Sequence, residues 1–236
     1  MPDKGRRPVT LVTGSRTGIG RYLVEHFVSG GHHVVGCSRG PSDFVHEHYR
    51  HFEADVSVEA DVRRVTGAVR REFGRLDHLV NNAGAAAMNH ALLTPAQVVT
   101  DLLQVNTLGT FLFSREAARL MLPQKTGRIV NFSTVAVPLA LEGEAAYVAA
   151  KAGVEALTRV LAREFAGFGI TVNAVGPGPM DTSLTRGVPK EKLAALQARL
   201  AISEPPTLSD VAHLVDFLLQ PASRMITGQV IYLGGA

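Results

Sequence analysis

Short runs of apolar, β-branched residues alternate along the chain with longer stretches in which apolar residues recur at helical spacing. Strands joined by helical crossovers form parallel sheets covered on both faces, so the pattern predicts the α/β class. The predicted strands are Val9–Thr13, His33–Cys37, His51–Ala54, Leu79–Asn81, Arg128–Phe132, Ile170–Ala174 and Val230–Leu233. The predicted helices are Ile19–Ser29, Val58–Phe73, Pro95–Met121, Glu144–Phe165 and Leu208–Leu218.

Two of these helices carry sequence signals for their first turn. Thr94 precedes Pro95, which predicts an N-cap followed by proline at the first helical position. Thr207 followed by Asp210 resembles a capping box, in which each side chain binds the other residue's backbone N–H.

The composition is that of one folded domain without a linker. The chain has 236 residues, of which 46% are hydrophobic and 19% charged, and no Pro/Ser/Gly-rich stretch divides it. We therefore expect residues 1–236 to form a single domain. Its first eight residues are basic without an apolar stretch, and no run of about 18 apolar residues occurs, so we expect a cytoplasmic protein that does not associate with membranes.

The charged residues and the single cysteine add little chemistry. The formal net charge is +3, and acids are interspersed among the lysines and arginines, which argues against nucleic-acid binding but leaves an acidic carrier open. Cys37 lies in an apolar run and is interpreted as a small buried hydrophobe. His46, Glu47, His48 and His51 cluster, but their spacing matches no zinc pattern, so no metal site is predicted.

A glycine motif joins the first strand to the first helix. Gly14, Gly18 and Gly20 follow the strand and open the helix, where a backbone without side chains lets a pyrophosphate approach the helix N-terminus. The glycines could instead serve only as a tight turn. Because the motif stands between a predicted strand and a predicted helix, it favours a dinucleotide site.

The end of the second strand bears on which dinucleotide is bound. The position at which an acidic residue would take the adenosine ribose hydroxyls carries Ser38, and Arg39 follows it. Arginine suits a phosphate, which favours NADP over NAD, with Arg16 as a second phosphate contact. The alternative is that Arg39 is a solvated loop residue.

A tyrosine and a lysine stand one helical turn apart in the fourth predicted helix. Tyr147 and Lys151 follow a hydroxyl pair, Ser133 and Thr134, by about thirteen residues. An isolated tyrosine titrates near about 10, and a neighbouring ammonium favours its anion, so we expect Lys151 to lower the pKa of Tyr147. By itself, this pair could also be an ordinary amphipathic helix surface.

Taken in order, these motifs resemble the classical short-chain dehydrogenase/reductase family over nearly the whole chain. The residues that carry the resemblance are TGSRTGIG, Asn81-Asn82-Ala83-Gly84, Asn106, Tyr147-x-x-x-Lys151 and Pro177-Gly178. Within the family the chain is most similar to the β-ketoacyl-acyl-carrier-protein reductases. The resemblance implies a single-domain Rossmann fold with a doubly wound, seven-stranded parallel sheet.

The resemblance also implies catalytic roles. Tyr147 would give its proton to a ketone oxygen while the nicotinamide delivers hydride, and Lys151 would hold the nicotinamide ribose. Asn106 would fix a water that links the lysine to solvent. The family has a serine thirteen residues before the tyrosine, and here that position is Thr134, which we favour over the adjacent Ser133 as the group that orients the carbonyl.

Further residues would hold the cofactor, and Asn81 would border its adenosine side. Asp55 could also be a plain Asx turn, and the asparagines could simply close a strand end. The implied cofactor-binding residues are Gly14, Arg16, Thr17, Gly18, Ile19, Gly20, Ser38, Arg39, Asp55, Val56, Asn82, Ala83, Gly84, Tyr147, Lys151, Pro177, Gly178 and Thr182.

The sequence thus predicts an NADPH-dependent oxidoreductase that reduces a ketone, either a small molecule or a β-ketoacyl or polyketide-type group on an acyl carrier protein. An NAD-dependent alcohol dehydrogenase and a catalytically silent dinucleotide sensor are the alternatives. Residues 179–206, the least patterned stretch, are expected to form a lid over the substrate. The resemblance implies a homo-oligomer, either a tetramer or a dimer, built through the long helices.

Overall fold

Seven parallel strands form one sheet in the computed structural model, which describes residues 6–180 and 190–236. Their order across the sheet is β3-β2-β1-β4-β5-β6-β7. The strands are β1 Val9–Thr13, β2 His33–Ser38, β3 Tyr49–Glu53, β4 His78–Asn81, β5 Gly127–Phe132, β6 Ile170–Gly176 and β7 Val230–Tyr232. The direction of winding reverses between β1 and β4, which is the switch point where doubly wound sheets bind ligands. The predicted Rossmann fold is confirmed.

Helices connect the strands and cover both faces of the sheet. The α-helices are α1 Gly18–Ser29, α2 Glu59–Phe73, α3 Ala96–Leu102, α4 Gly109–Met121, α5 Ala145–Ala166, α6 Lys190–Gln197 and α7 Leu208–Leu219. A π-helical turn, Leu103–Leu108, links α3 to α4. Short 3-10 turns occupy Ala91–Leu93, Leu122–Gln124 and Pro221–Ser223.

The sheet separates two apolar cores because successive strand residues face opposite sides. On β1, Leu11 packs into the core beneath α2, α4 and α5, whereas Val12 packs into the core beneath α1 and α7. The first core is filled by Val62, Val65, Leu112, Phe113 and Leu161, and the second by Leu23, Phe27, Val211, Val215 and Leu218. The crossovers therefore fix the strand ends from both sides.

The helix-start predictions had different outcomes. The capping box is confirmed, because the Thr207 Oγ1 accepts from the Asp210 backbone N–H at 3.2 Å and an Asp210 carboxylate oxygen accepts from the Thr207 N–H at 2.8 Å. The predicted Thr94 cap is wrong. Helix α3 begins at Ala96 with Pro95 at its N-cap, and the Thr94 hydroxyl instead donates to the carbonyl of His90 at 3.1 Å.

The single continuous helix predicted from Pro95 to Met121 is also wrong, because the π-turn interrupts it. Several apolar residues of the long helices, through which an oligomer would be built, lie in the chain's own core, including Leu102, Phe113 and Leu161. Leu103 and Val160 remain exposed on these helices, and oligomerisation stays a prediction.

Cys37 is fully buried, as predicted, and burial raises the pKa of its thiol to about 12. Across the described ranges, the helices include none with enough length and apolar character to cross a bilayer.

Candidate active site

A cleft of about 1390 Å³ opens at the carboxyl ends of the strands, on both sides of the switch point. Gly20 is absent from its walls, and Thr182 lies outside the described residues. The other predicted site residues border the cleft: Gly14, Arg16, Thr17, Gly18, Ile19, Ser38, Arg39, Asp55, Val56, Asn82, Ala83, Gly84, Asn106, Ser133, Thr134, Tyr147, Lys151, Pro177 and Gly178. The fold therefore brings together residues that lie more than 160 positions apart in the sequence, from Gly14 to Gly178.

The glycine turn forms one end of the cleft. Gly14 and Gly18 adopt φ values of 68° and 58°, in the left-handed region that favours glycine. A Cβ at Gly20 would overlap the Gly14 carbonyl oxygen, so this glycine permits the close contact of helix and turn without bordering the cleft. Among the described contacts, the N-cap residue Thr17 makes no side-chain bond to the first N–H groups of α1. Those N–H groups suit an anion.

The segment after β4 holds the glycine turn in place. The Asn82 side-chain N–H group donates to the carbonyls of Thr13 at 3.0 Å and Gly14 at 3.1 Å, and the Ala83 N–H donates to the Thr13 hydroxyl at 3.0 Å. Asn81 lies away from the cleft wall: its buried amide donates to Asn131 and to a serine of α4. The expectation that Asn81 borders the adenosine is therefore wrong, because alternate strand residues face opposite sides.

The end of the cleft at which the sequence predicts the adenosine lies beside the end of β2. The Ser38 hydroxyl donates to the Gly40 carbonyl at 2.8 Å, and Arg39 is exposed. The Arg16 guanidinium lies close enough that a Cβ at Gly40 would come within 3.4 Å of it. Asp55 borders the cleft and also forms an Asx turn, since one carboxylate oxygen accepts from the Ser57 N–H at 2.9 Å. Asp55 can therefore close an Asx turn and still be available to a ligand in the cleft.

Tyr147 and Lys151 lie on one face of α5 and are 93–95% buried, with relative exposures of 7% and 5%. The Lys151 ammonium donates to the carbonyl of Phe132, the last residue of β5, at 2.8 Å. Thr134, two residues further on, accepts from the Ala136 N–H at 3.2 Å, and its hydroxyl lies close enough to the Tyr147 phenol to lower the pKa of that phenol. A phenol, an ammonium and a second hydroxyl thus converge at the end of β5.

The pKa of Tyr147 is shifted in the direction opposite to the prediction. Burial raises it to about 12, and the Glu144 carboxylate adds to the rise, whereas the hydrogen bond with Thr134 lowers it. Burial also lowers the pKa of Lys151 to about 8. The phenol is accordingly a protonated acid at neutral pH, beside an ammonium that is still mostly charged.

Asn106 stands in the π-turn and is fully buried. Its side chain donates to the carbonyls of Ala85 and Leu102, both at 2.9 Å, and its oxygen accepts from the Ala85 N–H at 3.3 Å. A Cβ at Gly84 would come within 3.0 Å of the Asn106 oxygen and 3.4 Å of the Lys151 nitrogen. Asn106, Gly84 and Lys151 are therefore neighbours, and π-turns often occur at such sites.

The sequence interpretation missed two carboxylates near the tyrosine. Glu144 precedes the first turn of α5 and borders the cleft, and burial raises its pKa. Glu155, one turn beyond Lys151, is buried and accepts from the Ser133 hydroxyl at 2.7 Å and from the Tyr232 hydroxyl at 2.6 Å. Glu155 follows Lys151 by four residues and therefore lies on the same face of the helix, and this spacing could have revealed it from the sequence.

Part of the proposed lid lies against the cleft. Within residues 190–206, Lys192, Leu193, Leu196 and Arg199 border it, and the Arg199 guanidinium donates to the Leu139 carbonyl at 2.7 Å. Residues 181–189 lie outside the described part of the chain. Within residues 6–180 and 190–236, no three or more His, Cys, Asp or Glu side chains are grouped so that they could hold a metal ion.

Comparison with known proteins identifies the family. A family model described as enoyl-(acyl carrier protein) reductase matches residues 14–235. The 3-oxoacyl-[acyl-carrier-protein] reductase FabG of Salmonella typhimurium is 32% identical over 233 residues, spanning 96% of each chain. Its Staphylococcus aureus counterpart is 34% identical over 235 residues, spanning 95% of this chain and 96% of the relative.

Among solved structures, ElxO with NADP bound aligns with a TM-score of 0.89 and 28% identity, covering 97% of each chain. The likeness thus extends over the sheet, the helices and the cleft rather than over isolated motifs. The chain belongs to the short-chain dehydrogenase/reductase family of oxidoreductases.

Proposed function

We propose that this protein is an NADPH-dependent ketone reductase, in which Tyr147 donates a proton to the carbonyl oxygen. The observation that carries the proposal is the convergence of the Tyr147 phenol, the Thr134 hydroxyl and the Lys151 ammonium at the end of β5. All three border the cleft that also contains the glycine turn. The 3-oxoacyl reductase relatives support the same reaction class.

The residues present fit a dinucleotide. Glycines at positions 14 and 18 leave the N-terminus of α1 open to a pyrophosphate, because side chains there would strain the turn. Ser38 takes the place of the acid that would bind ribose hydroxyls, and Arg16 and Arg39 supply positive charge for a 2′-phosphate. The structure of ElxO with NADP bound supports NADP as the ligand of this cleft. When bound, the reduced nicotinamide supplies hydride to the carbonyl carbon.

The side chains supply the other half of the reaction. Tyr147 gives its proton to the carbonyl oxygen, and Thr134 donates a hydrogen bond to that oxygen, so hydride plus proton yields a secondary alcohol. Lys151 stabilises the resulting phenolate by its charge, which is worth most in a buried site. Asn106, beside Lys151, is placed to hold a water that returns the proton.

The remaining walls of the cleft suggest the class of ketone. Beyond the hydroxyls, much of the wall is apolar, and the segment that we propose as a lid, residues 179–206, closes one side through α6. These wall residues are Ala87, Met88, Leu141, Leu193 and Leu196. An acyl chain fits such a wall, which supports a β-ketoacyl thioester or a related polyketide-type carbonyl, either free or on an acyl carrier protein.

The test measures NADPH oxidation with a panel of β-ketoacyl thioesters, cyclic ketones and quinones, using the wild type and Tyr147→Phe. We expect turnover of at least one β-ketoacyl thioester, and a loss of about a hundredfold to ten-thousandfold in the variant, since positioned acids contribute that much. NADPH binding should persist in the variant, because the phenylalanine keeps the ring.

Three other outcomes would lead elsewhere. Binding of NADPH without turnover of any ketone would favour a silent dinucleotide sensor. Turnover with NADH alone would favour an NAD-dependent alcohol dehydrogenase. Full activity of Tyr147→Phe would remove the tyrosine from the mechanism.

A further inference from the structure

His51 lies behind the end of β2 and joins it to two hydroxyl groups. Its Nε2 is 3.0 Å from the Gly40 carbonyl oxygen and 3.2 Å from the Ser38 hydroxyl. Its Nδ1 is 3.0 Å from the Tyr49 hydroxyl and 3.3 Å from the Ser15 hydroxyl. One imidazole ring therefore contacts four groups around the adenosine end of the cleft.

The partners fix which ring nitrogen carries the proton. The Gly40 carbonyl can only accept, so Nε2 carries the hydrogen and donates it. Nδ1 is then an acceptor, and the Tyr49 hydroxyl is the nearer donor to it, while the Ser15 hydroxyl can donate to the Cys37 carbonyl at 3.4 Å. The Gly40 carbonyl thus fixes the tautomer of the ring.

The surrounding backbone leaves space for this arrangement. A Cβ at Gly36, the residue of β2 that pairs with His51, would overlap the hydroxyls of Tyr49 and Ser15. Only glycine allows the network to pack against the sheet at this point. The network is therefore held between β2 and β3 rather than on a surface loop.

The consequence concerns Ser38. Its hydroxyl now donates to the Gly40 carbonyl at 2.8 Å. Because His51 Nε2 also donates to that carbonyl, Gly40 keeps a hydrogen bond if Ser38 turns its proton toward a ligand. Ser38 can then donate outward while the turn at Gly40, over which the Arg16 guanidinium lies, holds its position.

We propose that His51 is a positioning residue for recognition of a phosphate monoester on the adenosine ribose. It holds the Gly40 turn and releases the Ser38 hydroxyl toward that phosphate, and it is distinct from the arginines that supply charge. This inference rests on the proposed use of NADPH. It predicts a role in affinity for the 2′-phosphate and none in the chemical step.

The experiment measures, by isothermal titration calorimetry, the dissociation constants of two probes, adenosine 2′,5′-bisphosphate and AMP, which differ by the 2′-phosphate. His51→Gln can place an amide N–H near the position of Nε2, whereas His51→Asn is too short to do so. We expect His51→Asn and His51→Leu to weaken the bisphosphate about tenfold, as loss of one hydrogen bond to a charged ligand would. His51→Gln should stay within about threefold of wild type.

The dissociation constant of AMP should change by less than about twofold in every variant, because AMP lacks the 2′-phosphate, and kcat should also stay within about twofold. His46→Leu is the matched control, since this exposed histidine of the same segment lies outside the cleft. Thermal unfolding of each variant shows whether it is folded, and if His51→Leu is not, the Asn and Gln pair decides.

Equal weakening of both probes, or no weakening of the bisphosphate, would overturn the inference. Gln and Asn variants that behave alike would overturn it too. These results differ from failure of the proposed function: a wild type that binds AMP as tightly as the bisphosphate would show that the 2′-phosphate is not recognised at all.

Discussion

The Ser133 hydroxyl donates to a carboxylate oxygen of Glu155 at 2.7 Å, and both residues are buried. The Tyr232 hydroxyl donates to the same oxygen at 2.6 Å. The adjacent Thr134 instead contacts the Tyr147 phenol. Neighbouring hydroxyls at the end of β5 therefore have different partners, since successive residues of an extended chain point to opposite sides.

Because the two hydroxyls have different partners, alanine at Thr134 should mainly lower kcat, whereas alanine at Ser133 should mainly lower stability. Thr134→Ala removes the hydroxyl that we propose as a donor to the substrate oxygen and should lower kcat by about a hundredfold to a thousandfold. Ser133→Ala removes one of the donors to a buried carboxylate and should cost about 1–3 kcal/mol of unfolding free energy, with a smaller effect on kcat. Steady-state kinetics and urea unfolding of both variants measure the two quantities. A larger loss of kcat in Ser133→Ala would reverse the assignment.

The second prediction concerns Arg39. Replacing it with Asp puts a negative charge where the 2′-phosphate would bind, so the ratio of kcat/KM for NADPH to that for NADH should fall by about tenfold or more. Arg50→Asp is the matched control, because Arg50 is exposed on β3, pairs with Glu72 and does not border the cleft. An unchanged ratio in Arg39→Asp would show that Arg39 is only a solvated loop residue.

Much of the fold was predictable from the sequence because buried parallel strands are almost continuously apolar. β1 was predicted with its observed bounds, and the other strands within two residues at each end. The break between α3 and α4 was not predicted, because Leu103 to Leu108 contain no glycine or proline to mark it.

For the candidate site, the sequence motifs predicted which residues border the cleft but not the contacts between residues distant in the sequence. Motif spacing located the residues that border the cleft, but the pKa direction of Tyr147 depends on burial, which the four-residue spacing to Lys151 does not contain. The hydrogen bond of Glu155 to Tyr232 joins residues 77 positions apart. Likewise, His51 drew notice for a histidine cluster, whereas its contacts with Ser15 and Ser38 depend on the pairing of β2 and β3.

The third prediction concerns pH dependence of ketone reduction. The pKa of Lys151 is lowered to about 8, so its charge is present below pH 8 and is lost as the pH rises through that value. Tyr147, with a pKa of about 12, stays protonated over the same range. The log of kcat/KM should therefore fall above about pH 8, because the phenolate that forms loses its neighbouring cation. A profile that stays flat to pH 10 would contradict this role.

The last prediction concerns acid stability and a histidine at the opposite end of the sheet. His78 begins β4, where the Thr10 hydroxyl lies 3.1 Å from its Nδ1 and 2.8 Å from the Nδ1 of His32. Burial lowers the pKa of His78 to about 3, and burial also lowers that of His32. In the unfolded chain both histidines titrate near about 6.5.

The sign follows from proton uptake. Below about pH 6.5 the unfolded chain binds a proton at His78 that the folded protein does not, so stability is full above that pH and falls as the pH drops toward 3. One such group contributes about 1.4 kcal/mol per pH unit well below pH 6.5. Urea unfolding at several pH values between 7 and 4 should therefore show a shallower fall for His78→Gln than for wild type. Parallel curves for the two proteins would contradict a lowered pKa of His78 in the folded state and would assign the acid sensitivity to other groups.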